Sequence, residues 1–342
     1  MKSRSFAVRV LAMLTILVLS GSAVGCPRRA AAPAEQPAAP AFRAAAIFSI
    51  PDPARAGGWD RAQWAGLQLL KEEHGWGLSV AEAVPFPDLA KVASGYAEAG
   101  YDVVIFTSSA HIPAWMEVAP KYPDTWFLLM SVTDTLPASP RVAAWRPDMY
   151  SYGVIVGITA AKASKTGTIG VIGGMPIPAL LLMFSGIIEG ARHVRPDAEV
   201  LVSWAGNWVD VPTHRELTLL HIENQADVLF TVTGPATAGV FEAAEAKGAM
   251  VIGYAADWYD DAPGVVLTSV LVDTIRIYTD LAETFAAGLM DKRIVYCGPD
   301  YFTLADFRGK LPEATVAEIQ DIVRKIQAGE VVIPVVMHDI GK

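Results

Sequence analysis

Short apolar runs alternate along the chain with longer segments whose apolar residues recur at helical spacing. The first run, 44–50, ends at Pro51, and the segment that follows, 59–74, keeps its apolar residues on one side. This pattern predicts strands at 44–50, 78–84, 103–106, 126–131, 168–172, 199–202, 228–231 and 250–254, separated by helices at 59–74, 89–99, 112–119, 152–163, 177–194, 213–225 and 237–247.

The predicted strands are near-continuous runs of Val, Ile, Leu and Phe, as in parallel strands that are covered on both faces. Their two successive series predict two α/β domains of similar size. Parallel α/β sheets bind ligands at the carboxyl ends of their strands. The loops expected there are 50–60, 107–109, 173–178, 204–210, 231–235 and 254–257.

Tryptophan is prominent in and beside these loops. Trp59, Trp204 and Trp208 lie there, and Trp145 lies near the expected crossover between the domains. Indole faces stack on planar rings and exclude water, so the pattern favours a small heteroaromatic ligand. The alternative is that some of these side chains only fill domain interiors, because Trp is largely buried wherever it occurs.

Composition excludes several classes of protein. The chain has 342 residues, 52% hydrophobic and 18% charged, which is too apolar for a disordered protein. Lys and Arg number 27 against 36 Asp and Glu, giving a net charge of −9, so no nucleic-acid partner is expected. The two cysteines, Cys26 and Cys297, exclude a thiolate metal cluster and a disulfide framework.

The amino-terminus has the order of an export signal. Lys2, Arg4 and Arg9 precede an apolar run, 10–19, that is too short to span a membrane, and small residues follow it. Residues 23–26 (AVGC) resemble a bacterial lipobox, which makes Cys26 the expected lipidation site and 1–26 the signal segment.

Residues 27–42 are rich in Ala and Pro and predict an extended tether between the membrane and the folded body. The expected location is therefore the cell envelope outside the cytoplasm, with a lipid anchor. An ordinary secreted protein cleaved nearby is the alternative.

Catalytic motifs are absent from the sequence. It contains no phosphate-binding loop, dinucleotide fingerprint, HExxH pair or GxSxG elbow, and its six histidines are scattered. Asp60, Asp210 and Asp257 lie in the loops of interest, where a carboxylate usually accepts a ligand hydrogen bond or caps a helix. No catalytic residue, cofactor or metal is predicted.

Six short motifs resemble, in their order and spacing, the basic membrane protein (BMP) family. They are Gly58–Ala62 (GWDRA), Phe106–Ser109 (FTSS), Pro176–Pro178 (PIP), Gly206–Trp208 (GNW), Gly253–Asp257 (GYAAD) and Thr268–Val270 (TSV), within a resemblance that spans residues 43–334. Members are lipoprotein substrate-binding components of ABC importers, similar to purine nucleoside receptors and adenine-binding lipoproteins.

The resemblance implies a type I periplasmic-binding-protein fold, with two doubly wound parallel-sheet lobes joined by three crossovers. Lobe 1 would comprise 43–147 plus 271–297, and lobe 2 would comprise 148–270 plus 298–342. It further implies binding rather than catalysis, with a small purine-like ligand and an ABC permease as partners.

The expected binding residues follow from the matched motifs and the loops. By resemblance, Trp59 and Trp208 would stack on the ring and Asp257 would accept a ring N–H or a ribose hydroxyl. The full expected set is Trp59, Asp60, Ser108, Ser109, Trp145, Pro176, Asn207, Trp208, Thr233, Tyr254 and Asp257.

Two departures from the family pattern concern the ligand. Residues 57–60 (GGWD) resemble the branch associated with free nucleobases rather than nucleosides. In that branch a loop of the Asp-Ser-Pro type follows a lobe 2 strand, but here the loop reads Thr233-Gly234-Pro235, so a hydroxyl replaces a carboxylate. The ring bound here would therefore differ in tautomer, substituent or charge.

Three other functions stay open from the sequence. The protein could serve a signalling receptor instead of a transporter, or bind another small molecule such as a sugar or an aromatic acid. It could also be a nucleoside-processing enzyme, such as a hydrolase, on a similar bilobed scaffold.

Overall fold

The computed structural model describes residues 41–341, which form twelve strands and nine helices. The predicted signal segment, Cys26 and nearly all of the tether lie outside these residues. The strands are β1 (Arg43–Ile47), β2 (Gly77–Ala81), β3 (Val103–Phe106), β4 (Trp126–Leu129), β5 (Val142–Pro147), β6 (Thr168–Gly173), β7 (Glu199–Trp204), β8 (Ala226–Val232), β9 (Met250–Ala255), β10 (Val266–Val272), β11 (Arg293–Cys297) and β12 (Phe302–Leu304).

The helices separate most of these strands along the chain. They are α1 (Gly58–Glu72), α2 (Leu89–Glu98), α3 (Ile112–Val118), α4 (Met149–Ala163), α5 (Pro178–Val194), α6 (Val211–Glu223), α7 (Thr237–Lys247), α8 (Thr274–Ala286) and α9 (Glu313–Gln327). Among residues 41–341, no helix has both the length and the apolar composition that a membrane crossing needs.

Two six-stranded sheets organise the fold. The first has the order β11-β5-β4-β3-β1-β2 and the second the order β12-β10-β9-β8-β6-β7. Neighbouring strands are parallel, except that β12 pairs antiparallel with β10 at the edge of the second sheet. The predicted fold class, two α/β lobes built on parallel sheets, is confirmed.

The near-continuous apolar strands reflect burial on both faces. In β3, Val103 and Ile105 belong to one core cluster, shared with α1 and α8, whereas Val104 and Phe106 belong to another, shared with α2 and α3. All four side chains are fully buried. Helices thus cover both faces of the strand, which is why the sequence does not alternate there.

The chain passes between the sheets three times, after β5, after β10 and after β11. Two of these crossings lead directly into a helix that begins at an aspartate. The Asp148 carboxylate accepts a hydrogen bond from the Ser151 amide at the start of α4, and Asp273 accepts one from the Arg276 amide at the start of α8. These caps satisfy amide groups that would otherwise lack partners and fix where each helix starts.

The structure contains elements beyond the predicted ones. Strand β5 precedes α4, and β10, α8, β11, β12 and α9 follow residue 254. Both β11 and β12 are short edge strands with partly exposed residues, so they lack the fully apolar signature of the central strands. Helix α4 begins three residues earlier than predicted because Asp148 caps it.

Helices α4 and α5 approach each other through glycines. A Cβ atom added to Gly157 of α4 would lie 2.1 Å from the Ile187 carbonyl oxygen, and one added to Gly186 of α5 would lie 2.1 Å from the Tyr150 carbonyl oxygen. Real Cβ atoms do not approach oxygen so closely, so the two backbones pack together only because these positions lack side chains.

We expect Gly157→Ala to lower the free energy of unfolding by about 1–3 kcal/mol, because the added methyl group forces α4 and α5 apart. Urea denaturation measures the change. Gly95→Ala is the matched control: Gly95 is exposed on α2 with no atom near the added Cβ, so this change should leave stability unaltered or increase it by up to about 1 kcal/mol. Equal stability of the two variants would contradict this account of the helix contact.

Candidate functional site

A cavity lies where the carboxyl ends of strands from both sheets meet. It encloses about 1000 Å³, including its open mouth, which suits a small organic molecule. Its walls are formed by Ser49, Ile50, Gly57, Gly58, Trp59, Asp60, Phe86, Thr107, Ser108, Ser109, Ala110, His111, Ser131, Met149, Ile177, Ala179, Leu180, Trp208, Thr231, Val232, Thr233, Gly234, Thr237, Tyr254 and Trp258.

On the first lobe, Trp59 stands in the first turn of α1. Its indole Nε1 donates a hydrogen bond to the Thr107 carbonyl oxygen over 2.7 Å, and the Thr107 hydroxyl donates in turn to the Ile47 carbonyl. The helix start is therefore tied to the exits of β1 and β3. This fixes the orientation of the indole before any ligand arrives.

On the second lobe, Trp208 lies in the loop between β7 and α6. Its ring packs against the backbone of Gly174, where an added Cβ would lie 2.1 Å from the indole. The loop is held by Asn207, whose Oδ1 accepts hydrogen bonds from the amides of Val209 and Asp210. A second aromatic wall thus lines the cavity from the opposite lobe.

The two lobes touch beside the cavity at the start of α1. A Cβ on Gly58 would lie 1.6 Å from the Tyr254 carbonyl oxygen, and one on Gly57 would lie 2.5 Å from the Gly234 Cα. One turn further, the Arg61 guanidinium pairs with Asp261 at 3.0 and 3.3 Å. These contacts join the lobes along one edge of the cavity.

Hydroxyl groups form a short chain at the end of β8. The Thr233 hydroxyl lies 2.7 Å from that of Thr231 and 2.9 Å from that of Thr237, which donates to the Gly234 carbonyl. All three residues are buried and line the cavity. This wall therefore offers neutral polar groups that are already hydrogen-bonded to one another.

His111 and Ser109 supply polar atoms of a different kind. His111 Nε2 lies 2.9 Å from the Ser49 hydroxyl, while its Nδ1 and the Ser109 hydroxyl are buried without a hydrogen-bond partner. Burial lowers the pKa of His111 to about 4, so the ring is neutral near pH 7.

Asp60 is the half-buried carboxylate of the cavity, two residues after Gly58 in the first turn of α1. Burial raises the pKa of Asp60 to about 7, although a hydrogen bond from its own amide acts in the opposite direction. Its charge also reaches Tyr254, whose pKa is raised mainly by burial and additionally by Asp60.

A known protein family matches most of the chain. The model of the Bmp family, described as ABC transporter substrate-binding protein PnrA-like, matches residues 44–296. The chain belongs to this family. All the elements that form the cavity fall within the matched residues.

Individual relatives within the curated proteins share less than 30% of their residues with this chain over the aligned regions. A purine-binding protein of Brucella abortus is 27% identical over 232 residues, which cover 66% of this chain and 65% of that protein. A putative ABC transporter glucose-binding protein of Haloferax volcanii is 28% identical over 173 residues, covering 50% of this chain and 44% of the relative. The chain thus spans less than two thirds of each of these relatives.

Solved structures support the fold. A solute-binding protein of an ABC transporter system from Aeropyrum pernix superposes with a TM-score of 0.74 at 20% identity, covering 86% of this chain and 94% of that one. The two proteins therefore share the periplasmic-binding-protein architecture.

Seven of the eleven residues expected in the pocket of this family member do line the cavity. They are Trp59, Asp60, Ser108, Ser109, Trp208, Thr233 and Tyr254. The structure places the other four elsewhere. Trp145 is buried in the core on β5, Pro176 is exposed in the loop before α5, and Asn207 holds the Trp208 loop.

Asp257 is the clearest departure from the expected site. Its Oδ2 accepts a hydrogen bond from Arg308 at 2.6 Å, and its Oδ1 accepts one from the Tyr259 amide. Burial alone would raise the pKa of Asp257, but Arg308 and the Tyr259 amide lower it. The carboxylate therefore has an internal partner and does not line the cavity.

Several lining residues were not expected from the sequence. His111 lies two positions after Ser109, and Trp258 directly follows Asp257. Both are therefore sequence neighbours of residues that the sequence predicted in the site. Met149 and Phe86 gave no such signal, because they reach the cavity from a crossover helix and from a short 3-10 helix after β2. Within residues 41–341, no group of His, Cys, Asp or Glu side chains is arranged to hold a metal ion.

The raised pKa of Asp60 has a consequence for stability. The pKa of Asp60 is about 7 in the folded protein, above the ordinary value of 3.8. Its contribution to the free energy of unfolding is therefore fully present below about pH 4 and is lost as the pH rises through about 7. We expect Asp60→Asn to be more stable than the wild type at about pH 8, with the difference disappearing near pH 4. Denaturant unfolding across this range measures it.

The exposed residue Asp124 provides the matched control. Asp124→Asn should leave the pH dependence of unfolding unchanged. If Asp60→Asn follows the wild-type profile throughout the range, the Asp60 carboxyl is not held in an unfavourable environment.

Proposed function

We propose that the protein is the extracytoplasmic substrate-binding component of an ABC importer and captures a small planar ring, of the purine nucleobase or nucleoside class, between its lobes. The observation that carries the proposal is the pair of indoles, Trp59 and Trp208, which line one cavity from opposite lobes. Family membership and the purine-binding relative from Brucella abortus support it.

The cavity suits capture without chemistry. Aromatic and aliphatic walls exclude water from a ring, and a small number of hydroxyl, imidazole and carboxyl groups orient it. Because the lining comes from both lobes, a ligand makes more contacts when the lobes are together than when they are apart. Binding therefore shifts the population toward the closed form.

The closed form would be the state that a membrane permease recognises. We extend the proposal to the anchor: Cys26 would carry the lipid and residues 27–42 would tether the binding domain to the membrane surface. Under this proposal, the lobes would correspond to 43–147 with 271–297 and to 148–270 with 298–342, so that the three crossings act as the hinge.

Thermal unfolding with a ligand panel tests the function. A ligand that binds only the folded protein raises its melting temperature, and a concentration of 100 times Kd adds about 2.7 kcal/mol of stability. We expect nucleobases or nucleosides to produce this shift. A shift with glucose or another sugar, and with none of the nucleobases or nucleosides, would contradict the proposed ligand class. The protein would then still be a small-molecule binding protein.

Tryptophan variants then test the site. Trp59→Ala and Trp208→Ala should each weaken ring binding by about 1–3 kcal/mol, or roughly 5- to 150-fold in Kd, because each removes one stacking face. Trp64→Ala is the matched control, since Trp64 lies on the same helix as Trp59 but does not line the cavity. Calorimetric titration gives the values, and equal losses in all three variants would contradict the stacking site.

A further inference from the structure

Among the described residues, the ionisable groups that line the cavity include an acid but no strong base. Of the described residues that form its walls, Asp60 is the one with a carboxyl group, and none is Lys or Arg. The imidazole of His111 is neutral at physiological pH because burial lowers its pKa to about 4. An anionic ligand would therefore meet no compensating positive charge there.

Among the residues that the structure describes, Asp60 also lacks a cationic partner. Its neighbour Arg61 is directed to Asp261 and lies 4.4 Å above the ring of Trp258. Among residues 41–341 no side chain donates a hydrogen bond to the Asp60 carboxylate, which receives only its own backbone N–H. A half-buried carboxylate left in this state gains most from a ligand that brings a donor or a positive charge.

The surroundings of Asp60 strengthen such an interaction. The aromatic rings of Trp59, Trp208, Tyr254 and Trp258 line the same cavity. Ring faces attract cations, and a water-poor environment strengthens a hydrogen bond to a charged group. A ring with a basic nitrogen would satisfy both the carboxylate and the aromatic walls.

We propose that Asp60 makes the site selective for amino-substituted heteroaromatic rings, in which an exocyclic amine stands next to a basic ring nitrogen. One Asp60 oxygen accepts a hydrogen bond from the amine. One proton is shared between the other oxygen and the ring nitrogen, giving a carboxylate paired with a ring cation. An oxo-substituted ring has an N–H and a carbonyl at that edge, so it can hydrogen-bond to the carboxyl group but has no basic nitrogen to take the proton and form the ion pair.

This inference rests on the proposed function, and matched ring pairs test it. Adenine against hypoxanthine, and cytosine against uracil, each exchange an amine for an oxygen at one edge. Calorimetric titration of the full chain should give at least one pair in which the amino ring binds about tenfold more tightly, as expected for a charge-assisted pair.

Asp60→Asn is the discriminating variant. The asparagine side chain has nearly the same shape as that of aspartate and can still donate and accept a hydrogen bond, but it cannot become negatively charged. We expect it to bind the two members of a pair within about twofold of each other. Asp60→Ser, which also removes the charge, should lose the same preference. Retained binding of the oxo ring shows that each variant is folded.

A pH series adds an independent readout. Between about pH 6 and pH 9 neither nearby titratable group changes charge, because burial keeps the pKa of His111 near 4 and raises that of Tyr254. Arg61 stays paired with Asp261. Wild-type affinity for the amino ring should therefore fall above about pH 7, by up to about tenfold per pH unit, while that of Asp60→Asn stays constant.

The outcomes separate the two proposals. Binding that favours the oxo ring, or an amino preference that survives in Asp60→Asn, overturns the role of Asp60 and leaves the ring-binding function standing. A pH-independent wild-type affinity also overturns it. If none of the four rings binds, the proposed ligand class fails and the inference fails with it.

Discussion

The close approach of Gly57 and Gly58 to the second lobe is the constraint on which the site depends. At Gly58 there is no room for a Cβ, since it would lie 1.6 Å from the Tyr254 carbonyl oxygen. Helix α1 therefore starts at the boundary between the lobes. Trp59 and Asp60 follow immediately in its first turn and therefore line the cavity. Trp59 forms an aromatic wall, and Asp60 supplies the carboxylate.

Under the proposed function the lobes open and close, so the strength of the contacts between them matters for binding. The Arg61–Asp261 pair crosses the boundary, but its side chains are 26% and 39% exposed, so it contributes at most about 1 kcal/mol. Three chain crossings connect the two sheets, and under the proposed function they act as the hinge. Under the proposed function, a ligand that contacts both indoles adds stabilisation to the closed form.

The fold could be predicted from the sequence because it depends on local patterns. Fully apolar strands such as β3 signal burial on both faces, and the strand ends identify the loops that meet at the cavity. Individual binding residues are less predictable, because the orientation of a side chain depends on hydrogen-bond and ion-pair partners that are distant in sequence. Asp257 follows a strand of the site, yet Arg308, 51 residues later, pairs with it. His111 reaches the cavity through a turn whose direction no periodicity encodes.

A crystal structure of the protein grown with the tightest-binding ring from the panel would show directly where the ring lies. We expect one ring between Trp59 and Trp208, in contact with both lobes and with an amine or ring nitrogen within hydrogen-bond distance of the Asp60 carboxylate. A ring bound outside this cavity, or one that touches a single lobe, would contradict this expectation.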